Sequence, residues 1–234
     1  LARMLNFDIA DGFAITTKMY DDFIERNNLQ SDIESLLESV DINNLEQLEN
    51  ISNQLINLVS QGSFTHDEET LILKTYNELC ELYRTPDLEV AVRSSAIAED
   101  LPNASFAGQQ DTFLNVRGHD DLIMFIKKCF ASLFNARAIS YRKTYKINLE
   151  DVKISVAIQK MVRSDIGSAG VAFSIDPETG YDKAIVVNSA YGLGELVVSG
   201  GVKPDEIILD KRILRHIDGA ANTRLVLFLT AIEI

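Results

Sequence analysis

The chain has 234 residues, 46% of them hydrophobic, which is enough to build a sizeable core and excludes disorder over most of its length. Lys and Arg total 22 against 35 Asp and Glu. The net charge of −13 excludes general nucleic-acid binding and attraction to anionic membranes, but a few cations and backbone N–H groups can still converge on a small anion such as a nucleotide. No stretch is long and apolar enough to cross a membrane. The two cysteines, Cys80 and Cys129, are isolated in apolar, helix-like stretches and read as small buried residues of a reducing cytosol.

Residues 1–7 carry no charged-then-apolar leader and no initiating Met, so the chain reads as a fragment. The first third is expected to be helical. Ser31-x-x-Glu34 and Thr65-x-x-Glu68 each have the form of a capping box. Leu45, Leu48, Ile51, Leu55 and Leu58 give one apolar helix face that Gly62 would end. Ile72, Tyr76, Leu79 and Tyr83 give another. At Pro86 the pattern changes: Leu88, Val90 and Val92 alternate as in a strand. A polar loop over residues 94–110 follows, then a strand over 112–116 and an amphipathic helix marked by Leu122, Ile126, Phe130, Leu133 and Phe134. From Ile154 the period becomes two. Strands are expected at 154–158, 171–173, 184–187 and 207–209, with a turn at Asp176-Pro177-Glu178-Thr179-Gly180. Helices first and strands later predict an α+β protein.

Several segments carry residues suited to chemistry. In Val92-Arg93-Ser94-Ser95-Ala96-Ile97-Ala98-Glu99-Asp100, Arg93 ends an apolar strand. Its planar fork of donors fits phosphate oxygens, and it fits equally an ion pair with Glu99 or Asp100. Gly108-Gln109-Gln110-Asp111-Thr112 has one Gly among small and polar residues before a strand; it is no P-loop, and it suits either a phosphate-approaching loop or an ordinary hairpin. Gln159-Lys160-Met161-Val162 ends a strand, where Met161 suits an adenine face or the core. Tyr191-Gly192-Leu193-Gly194-Glu195 places two glycines before a carboxylate that suits Mg²⁺ or solvent. The three histidines, His66, His119 and His216, lack acidic or Cys neighbours at ligand spacing.

Taken together these segments resemble the N-terminal domain of the phosphoenolpyruvate synthase (pyruvate, water dikinase) family. The resemblance runs over residues 8–211 and is dense from Val90 onward. It is carried by Val92 to Asp100 and by Ala104-Ser105-Phe106-Ala107-Gly108-Gln109-Gln110-Asp111-Thr112-Phe113-Leu114-Asn115-Val116. Further on it is carried by Phe130-Ala131-Ser132-Leu133-Phe134-Asn135-Ala136-Arg137-Ala138-Ile139-Ser140-Tyr141-Arg142, Gln159-Lys160-Met161-Val162-Arg163-Ser164-Asp165, Ser168-Ala169-Gly170-Val171-Ala172-Phe173-Ser174-Ile175-Asp176, Tyr191-Gly192-Leu193-Gly194-Glu195 and Lys203-Pro204-Asp205-Glu206. Asp11-Gly12-Phe13 resembles the family's Pro-Gly-Phe opening, with Asp in place of Pro.

The resemblance implies an ATP-grasp-like nucleotide-binding domain of the pyruvate phosphate dikinase N-terminal type, here truncated. Residues 1–85 would be its mainly helical part, 86–211 its core and 212–234 a divergent tail. It implies ATP and Mg²⁺ as cofactors, with Arg93 on phosphate, Gly108, Gln109, Gln110, Asp111 and Thr112 in a loop over the phosphates, Gln159, Met161 and Val162 lining adenine, and Glu195 as a further contact. The implied cytoplasmic parent enzyme converts ATP, pyruvate and water to phosphoenolpyruvate, AMP and phosphate through a phosphohistidine. That histidine and the pyruvate site would lie on domains outside this sequence, and the fragment alone is expected to be inactive. The family's Gly-Gly-Lys opening, its Asp-x-Glu and Gln-Ala-Arg-Pro segments and its phosphohistidine segment are missing, and residues after Lys211 no longer resemble it. The alternatives are the ATP domain of a rifamycin phosphotransferase and a non-catalytic remnant.

Overall fold

Four helix starts are written in short polar side chains. Thr16, Asn44, Thr65 and Asn135 each accept a hydrogen bond from the backbone N–H three residues on, and so open helices α1 (Thr17–Arg26), α3 (Leu45–Ser60), α4 (His66–Leu82) and α6 (Ala136–Tyr145). The computed structural model describes residues 9–96, 100–101, 104–105, 111–147 and 152–212, and the chain divides into two units, the first ending at Met161 and the second beginning at Val162.

In the first unit the remaining elements are β1 (Gly12–Ile15), α2 (Gln30–Ser39), β2 (Val90–Ala96), a small hairpin of β3 (Asp100–Leu101) and β4 (Ala104–Ser105), β5 (Thr112–Val116), α5 (Gly118–Ser132) and β6 (Ile154–Lys160). The four-stranded sheet runs in the order β1-β6-β2-β5, with every pair antiparallel. Val90, Val92, Ile154, Val156 and Ile158 are fully buried on one face, against the helices. At the centre of that core the ring of Phe130 meets those of Tyr20, Phe23 and Phe64 at centroid separations of 5.1, 5.4 and 6.0 Å. The buried Tyr76 hydroxyl donates to the Leu88 carbonyl at 2.8 Å and accepts from the Gly118 N–H at 3.2 Å, tying α4 to the segments that lead into β2 and α5. Cys80 and Cys129 are buried free thiols, and burial pushes the Cys129 pKa up.

The Thr65–Glu68 capping box forms in full. Gly62 follows the end of α3, where a Cβ would lie 2.4 Å from the ring of Phe23. The Ser31 capping box does not form: α2 starts at Gln30, and Ser31 lies inside its first turn. Asn28, in the left-handed region at φ 54°, turns the chain sharply out of α1, and the burial of Leu29 sets the start of α2 ahead of Ser31.

The second unit holds a 3-10 turn (Ser164–Ile166), β7 (Ser168–Phe173), β8 (Ala184–Tyr191), α7 (Gly194–Val198) and β9 (Asp205–Asp210). Its three strands are antiparallel in the order β7-β8-β9, and α7 packs on β7 and β8. The predicted turn is present: Asp176 Oδ1 accepts the Glu178 and Thr179 N–H groups, and Gly180 takes φ +73°. The α+β expectation holds, since helices and antiparallel sheets make up both units.

Candidate functional site

Strand alternation sorts β2 and β6 into two faces. Val90 and Val92 turn toward the helices, so Ala91, Arg93 and Ser95 belong to the opposite face, as do Ser155, Ala157 and Gln159 of β6. On this second face β1 contributes Gly12 beside Gln159 and Ala14 beside Ala157, and β5 contributes Thr112 opposite Arg93. The result is a floor of Gly12, Ala14, Ala91 and Ala157 in which Gln159 stands between Gly12 and Ala91, with Arg93 and Thr112 along one side. A Cβ on Gly12 would lie 2.1 Å from the Ile158 carbonyl oxygen, so β1 can approach β6 this closely only with glycine there.

Arg93 is half-buried, and its one hydrogen bond among the described residues runs from Nη1 to Gln159 Oε1 at 3.5 Å. Among the described residues its other donors have no hydrogen-bond partner. The Glu99 and Asp100 side chains, which offered Arg93 an ion pair, lie outside the described residues. The start of β5 is fastened alongside: the Ser94 hydroxyl donates to the Asp111 carbonyl at 2.9 Å. Arg93, Asp111, Thr112 and Gln159 thus come together, while Gly108, Gln109 and Gln110 lie outside the described residues.

Met161 follows β6 and is buried, and its N–H donates to the Glu89 carbonyl at 2.9 Å. Met161 is thus buried at the end of β6. Val162, in the second unit, is 40% exposed, and its carbonyl accepts the Ser164 N–H at 2.7 Å. Glu195 lies in the first turn of α7, exposed, after Gly192 at φ +95°.

Sequence reasoning missed a polar cluster near the start of β1. Tyr83 donates from its hydroxyl to Asp11 Oδ2 at 2.6 Å, and the Lys160 ammonium lies 4.2 Å from the centre of the Tyr83 ring. Asp11, noted only as a substitute for Pro, is therefore a hydrogen-bond acceptor. No local signal pairs it with Tyr83, which lies 72 residues away. His119 meets the Asn77 side chain at 2.8 Å and stacks edge-on to Tyr76, a structural role. Among the described residues no group of three or more His, Cys, Asp or Glu side chains is placed to hold a metal ion, and no helix is long and apolar enough to cross a membrane.

The chain matches the family described as pyruvate phosphate dikinase, AMP/ATP-binding domain, over residues 1–228. It is 47% identical over 210 residues to the phosphoenolpyruvate synthase of Aquifex aeolicus, covering 90% of this chain and 24% of that protein. It is 47% identical over 212 residues to that of Helicobacter pylori, covering 91% and 26%. With that of Escherichia coli it shares 40% identity over 230 residues, covering 95% and 29%. The chain thus spans about a quarter of the length of these relatives.

Proposed function

Because the chain belongs to the pyruvate phosphate dikinase AMP/ATP-binding domain family, we propose that it is the ATP-binding part of a cytoplasmic phosphoenolpyruvate synthase with an ATP-grasp-like fold. In this reading the parent protein moves a phosphoryl group from ATP to a histidine elsewhere in its sequence and on to pyruvate, releasing AMP and phosphate. The observation that carries the reading is the pairing of Arg93 with Thr112 at the margin of the small-residue floor.

Phosphoryl transfer spreads charge over the oxygens of the moving group, so catalysis rests on positioned cations and N–H donors. The Arg93 guanidinium offers two parallel N–H groups to phosphate oxygens, and Gln159 steadies it from β6. Thr112 adds a hydroxyl at the adjoining register position. Gly12, Ala14, Ala91 and Ala157 carry small side chains or none, so a flat ligand would meet the backbone around them and the Gln159 side chain between Gly12 and Ala91. By the family resemblance, Gly108, Gln109, Gln110 and Met161 of the first unit, and separately Val162 and Glu195 of the second, are further candidate nucleotide contacts. Mg²⁺ would arrive with the ATP phosphates. Among the described residues no cluster of three or more His, Cys, Asp or Glu side chains forms a cage for it.

Equilibrium binding of a fluorescent ATP analogue tests the reading. The wild-type chain should bind, and Arg93→Met should weaken binding about 10- to 100-fold, the loss expected when a charge-assisted phosphate contact is removed. Circular dichroism should be unchanged, because Arg93 lies on the sheet face away from the helices. Equal affinity in the two proteins would reject the site.

A further inference from the structure

The strand β1 has four residues and pairs with one neighbour, β6. A strand this short, on the edge of a sheet, frays from any end that is not tied down. Its C-terminal end is tied by the burial of Ile15 and by the Thr16 cap of α1. Its N-terminal end is Gly12, which has no side chain to pack and lies directly beside Gln159 of the candidate site. Among the described residues, Asp11 ties this end twice. Its carbonyl accepts from the Lys160 N–H at 2.9 Å, and its Oδ2 accepts from the Tyr83 hydroxyl at 2.6 Å. Tyr83 is the C-cap of α4, and the Lys160 ammonium lies 4.2 Å from the centre of its ring. The bond to Asp11 raises the Tyr83 pKa above its ordinary value, so the hydroxyl keeps the proton it donates.

Strand alternation puts Asp11 on the helix side of the sheet with Phe13 and Ile15, and Gly12 on the floor side. Tyr83 also packs on the helix side, so its effect on the site passes through β1.

We propose that Tyr83 is a positioning residue for the nucleotide site: through Asp11 it pins the Gly12 end of β1, and β1 in turn keeps Gln159 against Arg93. The inference rests on the nucleotide reading. The path of contacts is short. Asp11 adjoins Gly12, Gly12 stands opposite Gln159, and Gln159 Oε1 accepts from Arg93 Nη1 at 3.5 Å. That last bond is long and therefore weak, so Gln159 depends on its surroundings to stay in place. With β1 frayed, the Gln159 side chain gains room on the Gly12 side and the Arg93 guanidinium loses its support. The bond from Tyr83 to the Asp11 carboxylate is charge-assisted, which makes it the stronger of the two ties.

Equilibrium binding of the fluorescent ATP analogue to the whole chain tests the proposal, at a temperature where circular dichroism shows every variant folded. Tyr83→Phe removes the hydroxyl and keeps the ring; it should weaken binding about three- to tenfold. Asp11→Ala should weaken it by a similar factor. Asp11→Asn keeps an acceptor oxygen and should recover most of the affinity lost in Asp11→Ala. Thr65→Ala, at the other end of α4, removes a helix cap and should leave affinity unchanged, which separates positioning from general loosening. In Tyr83→Phe the backbone chemical shifts of Gly12 and Gln159 should move, while those of Val116 on the opposite edge strand stay. The proposal is overturned if Tyr83→Phe binds as the wild type does while Arg93→Met binds weakly, if Asp11→Asn is as weak as Asp11→Ala, if Thr65→Ala weakens binding as much as Tyr83→Phe, or if the Gly12 shifts stay. A wild type that does not bind, or Arg93→Met with undiminished affinity, rejects the nucleotide site itself and this inference with it.

Discussion

Ser94 holds the carbonyl oxygen of Asp111 from two sides, its hydroxyl donating at 2.9 Å and its backbone N–H at 3.5 Å. The start of β5 is fixed this way next to Arg93, whose register partner is Thr112. Ser94→Ala removes the shorter bond and keeps the longer, a loss of about 0.5–1.5 kcal/mol at that point. Amide exchange at Thr112 and Phe113 should quicken about three- to tenfold, with Ile158 unchanged; equal rates at Thr112 would show that the hydroxyl contributes nothing.

The start of α4 combines a cap with a tertiary ion pair. Glu68 returns a bond to the Thr65 N–H at 3.0 Å, and Arg26 Nη2 reaches both Glu68 carboxylate oxygens at 2.6 Å. Thr65→Ala should cost about 1 kcal/mol. Glu68→Ala should cost more, since it breaks the cap and leaves Arg26 unpaired. Denaturant unfolding should rank the two in that order, and an Arg26–Glu68 double-mutant cycle should give a coupling of about 0.5–1 kcal/mol.

Gly170 has a strict steric role in the second unit. A Cβ there would lie 2.3 Å from the backbone carbonyl oxygen of Asn188, in the partner strand β8. Backbone cannot swing aside as a long side chain can, so Gly170→Ala should force β7 and β8 apart. Amide protection across β7, β8 and β9 should fall while that of β6 is kept. Val171→Ala, one position on, should leave the β7–β8 register intact.

Acid should act on the second unit through Asp210. Hydrogen bonds from the Arg212 side chain and backbone hold the Asp210 carboxyl down from an ordinary 3.8 to about 2. Thr179 and Glu178 lower Asp176, and Arg163 lowers Asp165. A depressed folded-state pKa means that the stabilisation is present above pH 4 and is lost as pH falls from there toward 2. Chemical shifts of β9 should report the change. Asp210→Asn should flatten the acid limb, and 1 M salt should weaken it, because these pairs are exposed. An acid limb unchanged in Asp210→Asn would remove Asp210 from the account.

Legibility in the sequence tracked how local the cause was. The Thr65–Glu68 cap, the strand over 112–116 and the Asp176 turn are each fixed by residues a few positions apart, and each stands where periodicity and turn chemistry put it. Ser31 misled because a capping box competes with the burial of Leu29, which no local rule weighs. The strand β1 was unreadable: it has four residues, starts with glycine, and gains its partner only from β6. At the site, Arg93 stood out as a cation ending an apolar run. Its meeting with Gln159 and Thr112 depends on ladder register, which is a property of the sheet.

The strand order β1-β6-β2-β5 sets a timetable for the growing polypeptide. The central strand β6, which bridges β1 and β2, is the last element of its unit to leave the ribosome. Helices α1, α3 and α4 can close on their own caps while the chain is still short. β1 must wait more than a hundred residues for the ladder it joins, with loop-closure entropy opposing that late pairing. A nascent chain halted before Ile154 carries two strand edges, those of β1 and β2, without their ladder partner. Chaperone contact with stalled nascent chains should therefore be strongest just before residues 154–160 emerge and should drop once they have.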